Sequence, residues 1–310
     1  MSNDTSSTDD ALEQAIRRVR DDRAHGASEL ARQAALALAE ASPTADDDAG
    51  ARLQRIHQAA RDFAAARPSM AAIANTAARI WYPAATQDED QPDDALRALH
   101  AEAQRLLDSW AHAAEAIASH AGALFGETLY TFSRSGTVEQ VLNRLAREGR
   151  LRRVIVGESH PGNEGQALAQ ALAGQGIAVT LIADAAVGQY LSRANVVVIG
   201  ADSVRSDGSV VNKIGSWPLA LMAREQHIPC YALCETLKIA APSFALTFEE
   251  MDVRELLPQP VAGVTVHNPY FEAIPARLLN GVITEAGVLD GAAIARYAQH
   301  AETALQALIA

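Results

Sequence analysis

Asp202, Asn212 and Lys213 fall within one short stretch, Asp202-Ser-Val-Arg-Ser-Asp207-Gly208-Ser-Val-Val-Asn212-Lys213-Ile-Gly215. It follows the apolar run Asn195-Val-Val-Val-Ile-Gly200, whose length and β-branched content predict a buried strand. Asp202 is therefore expected where a strand ends. A turn at Asp207-Gly208 follows, and Asn-Lys-Ile-Gly is expected to open the next helix. Ligands of open parallel sheets bind just beyond the carboxyl ends of strands. A carboxylate, an amide and one of only two lysines in the chain are thus placed for small-molecule chemistry.

The same pattern recurs along the C-terminal half. Glu127–Phe132 ends in Ser133-Arg134-Ser135-Gly136-Thr137, and Arg153–Gly157 ends in Glu158-Ser159-His160-Pro161. Ile177–Ile182 ends at Asp184, and Pro229–Cys234 ends in Glu235-Thr236. Helix-like segments, such as Val138–Glu148, Gly165–Ala173 and Leu219–Gln226, fill the gaps. Short apolar runs alternating with helices predict βαβ units and a parallel sheet. Right-handed crossovers would bring the five polar strand ends to one edge.

At 310 residues the chain is long enough for two domains, and 49% apolar residues make it globular. The 26 basic and 38 acidic residues give a net charge of −12, which argues against nucleic-acid or anionic-membrane binding while leaving room for a local basic pocket. No apolar run approaches the ~18 residues of a membrane span. The polar, acidic start lacks the marks of a signal peptide, so a cytoplasmic protein is expected. Cys230 and Cys234 are too few and too poorly accompanied for a zinc site, and neither a metal nor a cofactor is expected.

The strand ends need a scaffold, and residues 10–121 supply no strand. Alanine-rich segments with helical spacing run through 11–19, 27–40, 51–66, 69–80 and 94–119, with Ser28 and Ser69 as expected caps. Two acidic stretches, 41–50 and 87–94, read as solvated loops. Two helix starts there could serve a ligand: His25-Gly26-Ala27-Ser28, and Arg67-Pro68-Ser69-Met70. The expected architecture is a helical N-terminal domain over residues 1–122, followed by a Rossmann-like parallel-sheet α/β domain over 123–310.

Residues 126–290 resemble the family shared by the regulatory subunits of translation initiation factor 2B, methylthioribose-1-phosphate isomerase and ribose-1,5-bisphosphate isomerase. The resemblance rests on Asp184-Ala-Ala-Val-Gly188, on Ala194–Asp202 with Asn212-Lys213-Ile-Gly215, on Glu235-Thr-Leu-Lys238 and on Thr284-Glu285-Ala-Gly287. Asp184-Ala-Ala-Val-Gly and Glu235-Thr-Leu-Lys look most like the alpha subunit of the factor. Gly26-Ala27 and Arg67-Pro68-Ser69 match more loosely.

In the isomerases, a cysteine after the first strand and an aspartate after the fourth form the implied acid/base pair. The aspartate carries over as Asp202, and the cysteine position falls on Ser133. A thiol with a pKa of about 8.5 titrates near neutrality, whereas a serine hydroxyl needs an adjacent base. Where the isomerases place an arginine after the second strand, this chain has His160, a group that is partly neutral at pH 7. The resemblance implies ligand contacts from Gly26, Arg67, Arg134, Ser135, Gly136, Thr137, Glu158, His160, Asn212 and Lys213.

The expected function is that of an initiation factor 2B alpha-subunit-like protein. It would bind a phosphorylated sugar or nucleotide and act through a homodimer or larger assembly, with a translation initiation GTPase as a further partner. The alternative is a sugar-1-phosphate aldose–ketose isomerase in which Asp202 works with Ser133 in place of cysteine. Aromatics in Trp217-Pro-Leu and Asn268-Pro-Tyr-Phe are candidate interface residues.

Overall fold

The computed structural model describes residues 4–42, 48–88, 90–248 and 250–310, with side chains from Asp10 onward. Residues 43–47 and 89, within the two acidic stretches, lie outside the described residues. In chain order the elements begin with α1 (Asp4–Asp21), α2 (Ala27–Ala41), α3 (Ala49–Ala66), α4 (Ala71–Ala85) and α5 (Pro92–Gly122). There follow β1 (Thr128–Phe132), α6 (Gly136–Arg147), β2 (Arg153–Gly157), α7 (Glu164–Gly174), β3 (Ala178–Ile182), α8 (Val187–Tyr190) and β4 (Val196–Ile199). The chain continues through β5 (Ser203–Val204), β6 (Val210–Lys213), α9 (Ser216–Glu225), β7 (Cys230–Leu233) and β8 (Phe271–Ile274). It ends with β9 (Gly281–Thr284), β10 (Gly287–Leu289) and α10 (Gly291–Ile309).

Two compact units emerge. One comprises Met1–His112, Leu237–Leu246 and Ile294–Ala310; the other comprises Ala113–Thr236 and Thr247–Ala293. Both are discontinuous in sequence, which a single boundary at 122/123 does not represent.

In the helical unit α4 is buried on nearly every side, through Ala71–Ala74, Ala77, Ala78, Ile80 and Trp81. Alanine suits this place because it loses no side-chain entropy in a helix and lets neighbours approach closely. The C-terminal helix belongs to this unit. Trp81 Nε1 donates to Ala307 O at 3.1 Å, and His57 stacks on Trp81 at 4.0 Å while its Nε2 bonds Leu308 O at 2.8 Å. Asn75 Nδ2 donates to Leu237 O and Ile239 O, each at 2.7 Å, which satisfies a buried amide and ties 237–246 into the unit. The expected caps are corrected. Gly26 and Met70 hold the N-cap positions of α2 and α4, each without a side-chain cap bond, so Ser28 lies inside a helix and Ser69 just before one.

In the second unit a seven-stranded sheet has the order β10-β9-β7-β4-β1-β2-β3. All neighbouring pairs are parallel except β9 with β10. The chain lays β2 and β3 on one side of β1, then crosses to place β4 on the other. The strand order therefore reverses between β1 and β4, where the carboxyl ends of parallel strands open a crevice. Leu129, Val154, Val156, Val196 and Val198 form one core with Val138, Leu142 and Leu145 of α6 and Leu168 and Leu172 of α7. Each such side chain contributes about 1.5–3 kcal/mol on full burial. A Cβ at Gly165 would stand 1.8 Å from Gly157 O, so only glycine lets α7 start this close to the end of β2.

One expected element is corrected. Asn212 and Lys213 do not open a helix; they end β6, which lies between β5 and β8 in a separate three-stranded sheet. Asn212 opposes Glu272 and Lys213 opposes Phe271. This partner lies about sixty residues further along the chain, and its ladder outweighs the local turn signal. The helix begins only at Ser216, after Gly215 at φ 101°.

Candidate functional site

The crevice between β1 and β4 is lined from the residues that follow each strand. The β1–β4 register pairs Thr131 with Val198, and Ser133 follows the end of β1 as Gly200 and Asp202 follow the end of β4. A Cβ at Gly200 would stand 2.6 Å from the Ser135 Cβ, so glycine allows the start of α6 to sit against the end of β4. Ser135 caps α6, accepting from Val138 N–H at 3.4 Å. Gly136 opens that helix directly after β1, and the first amides of a helix are where an anion can be held.

Ser133 is half-buried with φ 61°, in the left-handed region that serine rarely occupies. Its N–H donates to Ser159 Oγ at 2.7 Å. Ser159, itself at φ 62°, donates its N–H to Asp184 Oδ1 at 2.9 Å, and His160 N–H donates to Asp184 Oδ2 at 2.8 Å. One carboxylate at the end of β3 thus fixes the loop after β2, and that loop fixes Ser133. Asp184 and Ser159 are recognisable in the sequence as strand ends, but their positioning role depends on these contacts. The His160 side chain is exposed, and Glu158 is half-buried with its N–H on Ile182 O.

Asp202 is half-buried, and its N–H donates to Val211 O at 2.8 Å, joining the end of β4 to β6. Asn212 Nδ2 donates to Ser216 Oγ at 2.8 Å, and Ser216 Oγ donates to Lys213 O. Lys213 is buried, with its ammonium 2.5 Å from Glu164 Oε1 and 3.6 Å from the centre of the Tyr270 ring. Tyr270 O–H in turn donates to Glu255 at 2.7 Å, and burial followed by that bond pushes its pKa up. The segment Asn268–Phe271, expected at an interface, therefore spends Tyr270 and Asn268 on contacts inside the unit. Trp217 is 38% exposed in the first turn of α9.

Arg134 is exposed and pairs with Glu139 at 3.0 Å. Thr137 is buried, with its Oγ1–H on Glu235 Oε1 at 2.8 Å. Beyond β7, Glu285 accepts from Thr236 N–H at 3.0 Å and bonds its hydroxyl, so the Glu235-Thr236 and Thr284-Glu285 motifs meet. Gly26 and Arg67 belong to the helical unit. Nothing crowds the Gly26 Cα, and buried Arg67 donates to Asp22 O at 2.5 Å. Glu164, which sequence reasoning missed, is marked only by being the first residue of a helix. Its pairing with a lysine 49 residues away has no local signal.

Both cations at these strand ends thus hold carboxylate partners, and an anionic ligand there would compete for them. Among the described residues no His, Cys, Asp and Glu group is disposed to hold a metal ion, and no helix is long and apolar enough to cross a membrane. Cys230 and Cys234 are buried and form no disulfide, and burial pushes the Cys230 thiol up to about 12.

A profile of the Initiation factor 2 subunit family matches residues 23–291. The chain is 28% identical over 284 residues to a protein of Archaeoglobus fulgidus named ribose 1,5-bisphosphate isomerase, covering 89% of this chain and 88% of that one. It is 33% identical over 171 residues to the protein of that name from Methanocaldococcus jannaschii, but there the match spans about half of each chain, 53% and 55%. Among solved structures it resembles the translation initiation factor eIF-2B of Pyrococcus horikoshii, with TM-score 0.75 and 30% identity, covering 90% of this chain and 96% of that one.

Proposed function

Because the chain belongs to the Initiation factor 2 subunit family, we propose that it binds a phosphorylated sugar or nucleotide at the carboxyl ends of β1, β2 and β4 without isomerising it. On this reading it acts in the cytoplasm through assembly with itself or with a translation initiation GTPase. Ser133 carries the reading. Among the described residues no group hydrogen-bonds its hydroxyl, and a serine without a base against it exchanges protons poorly near neutral pH. The binding parts remain: the amides that open α6, the Arg134 guanidinium, and Asn212 with Lys213.

A second reading, aldose–ketose isomerisation of a ribose 1-phosphate, is favoured by Asp202. It lies in the short segment between β4 and β5, just beyond the end of β4. Such a reaction opens the ring and then transfers hydrogen between C1 and C2, and Asp202 could serve one of those steps as acid/base.

Thermal shift with ribose 1,5-bisphosphate, methylthioribose 1-phosphate and nucleoside monophosphates tests binding, since a ligand of the native state raises the melting temperature. The stabilising ligand is then assayed for turnover by the parent and by Ser133→Cys. Binding without turnover in the parent, and slow turnover gained by Ser133→Cys, is the expected result. Turnover by the parent establishes the second reading instead. Stabilisation by none of the compounds rejects both.

A further inference from the structure

The opposite edge of the same sheet carries a second feature. Residues 144–153 hold five arginines, Arg144, Arg147, Arg150, Arg152 and Arg153, against the single acid Glu148, in a chain whose net charge is −12. They surround the last turn of α6 and the start of β2. A cleft of about 400 Å³ opens there, closed on its far side by the Gln175-Gly176 turn that follows α7. That volume lies in the range of small-molecule sites, roughly 300–1,000 Å³.

The cleft is lined by both apolar and polar side chains. Among its lining residues Leu151 and Ile177 are buried, and Arg147 and Arg152 are exposed. Arg144 and Arg150 are engaged with Glu115, Glu148 and Gly122 O, and Arg152 has a weak, exposed partner in Glu127 at 3.3 Å. Among the described residues Arg147 has no ion pair. The second observation is Asn143, whose Oδ1 is buried with no hydrogen-bond partner. Neither end of this amide is bonded within the described residues, although buried polar atoms are nearly always satisfied. Asn143 lines the cleft, and since its Oδ1 is closed off from solvent, the Nδ2 is the end that can donate to a group entering it.

We infer that this cleft is a second ligand site, for a nucleotide-sized anion. Its phosphate would take the forks of Arg147 and Arg152, which suit phosphate geometry. Its base or sugar would lie on Leu151 and Ile177, with a hydroxyl or carbonyl oxygen accepting from Asn143 Nδ2. β2, five residues or about 16 Å long, separates this edge from Glu158 and His160, so one small ligand cannot reach both places. The site stands whether or not the crevice binds its own ligand.

Adenosine 5′-diphosphate is the probe, with the full chain in solution. Hydrogen exchange with and without it should slow at residues 143–152 and 175–177. The Arg147→Ala, Arg152→Ala double variant should bind about tenfold or more weakly by titration calorimetry, the loss of one charge-assisted contact or more. Its melting temperature should not move, because both side chains are exposed. Asn143→Asp, which sets a like charge against the phosphate, should also weaken binding. Lys213→Ala should leave the protection at 143–152 in place, which separates this cleft from the crevice. The inference fails if the probe protects only crevice residues, if it protects none, or if the double variant binds as the parent does.

Discussion

The Glu164 carboxylate, at the first residue of α7, holds the buried Lys213 ammonium at 2.5 Å, while the Tyr270 ring covers it. The only lysine of the sheet unit is thus neutralised by its own chain. A ligand phosphate gains little from Lys213 unless it displaces Glu164.

Glu164→Gln keeps the shape of that contact and removes its charge. Phosphosugar affinity should rise by about three- to tenfold, equivalent to roughly 0.7–1.4 kcal/mol, measured by titration calorimetry. An unchanged affinity would mean that the ligand does not meet Lys213. Lys213→Met should lower folding stability by about 2 kcal/mol, since Glu164 is partly open to water and recovers some hydration. Urea melts read that loss.

Asp184 accepts from the amides of Ser159 and His160, and Ser159 holds Ser133. Asp184→Ala strands two donors and should cost about 2–6 kcal/mol in a urea melt, at 1–3 kcal/mol per unsatisfied group. Ligand affinity should fall with it, because the backbone at Ser133 loses its support. Asp184→Asn keeps one acceptor and should recover part of both. Full affinity in the alanine variant would separate Asp184 from the crevice.

Glu272 lies in β8 and accepts from Gly215 and Trp217 N–H at the start of α9, at 2.7 and 2.8 Å. Burial raises its pKa, and these bonds only partly offset that. A carboxyl whose folded pKa exceeds its unfolded value stabilises the fold most below the unfolded value, near 4.5, and loses that stabilisation as pH rises through the folded value. Glu272→Gln stays neutral and can still accept both bonds. Its stability relative to the parent should therefore increase as pH is raised from about 4 to 7. A difference independent of pH would refute the assignment.

Burial raises the Cys230 thiol to about 12, and Cys234 is buried as well. The native protein should therefore react slowly with Ellman's reagent at pH 8, and denaturation should release two thiols. Ser133→Cys should add one thiol that reacts in the native state, because position 133 is half-buried in an open crevice. A fast native thiol in the parent would contradict the packing of β7.

The alternation of apolar runs and helices was legible because it is local. A Val-Val-Val-Ile run buries itself between neighbours whatever they are, and a polar residue must follow where the strand leaves the core. The expected runs at 153–157 and 195–200 coincide with β2 and β4 to within a residue at each end. Asn212 and Lys213 were misread for the converse reason. Their strand exists only because β8 pairs with it, and the intervening chain carries no mark of that pairing.

The sequence alone determined the helical start, the parallel sheet and its family, and which polar residues follow each strand, because propensity and period act over a few residues. Tertiary structure decided the rest. It set the strand order that opens a crevice between β1 and β4, gave Lys213 to Glu164, and made Asp184 the support of Ser133. It also left Asn143 unmatched at the far edge. Each of these is a contact between groups distant in sequence, and a hydrogen bond or ion pair is fixed by position to within a few tenths of an ångström, which only the packed chain supplies.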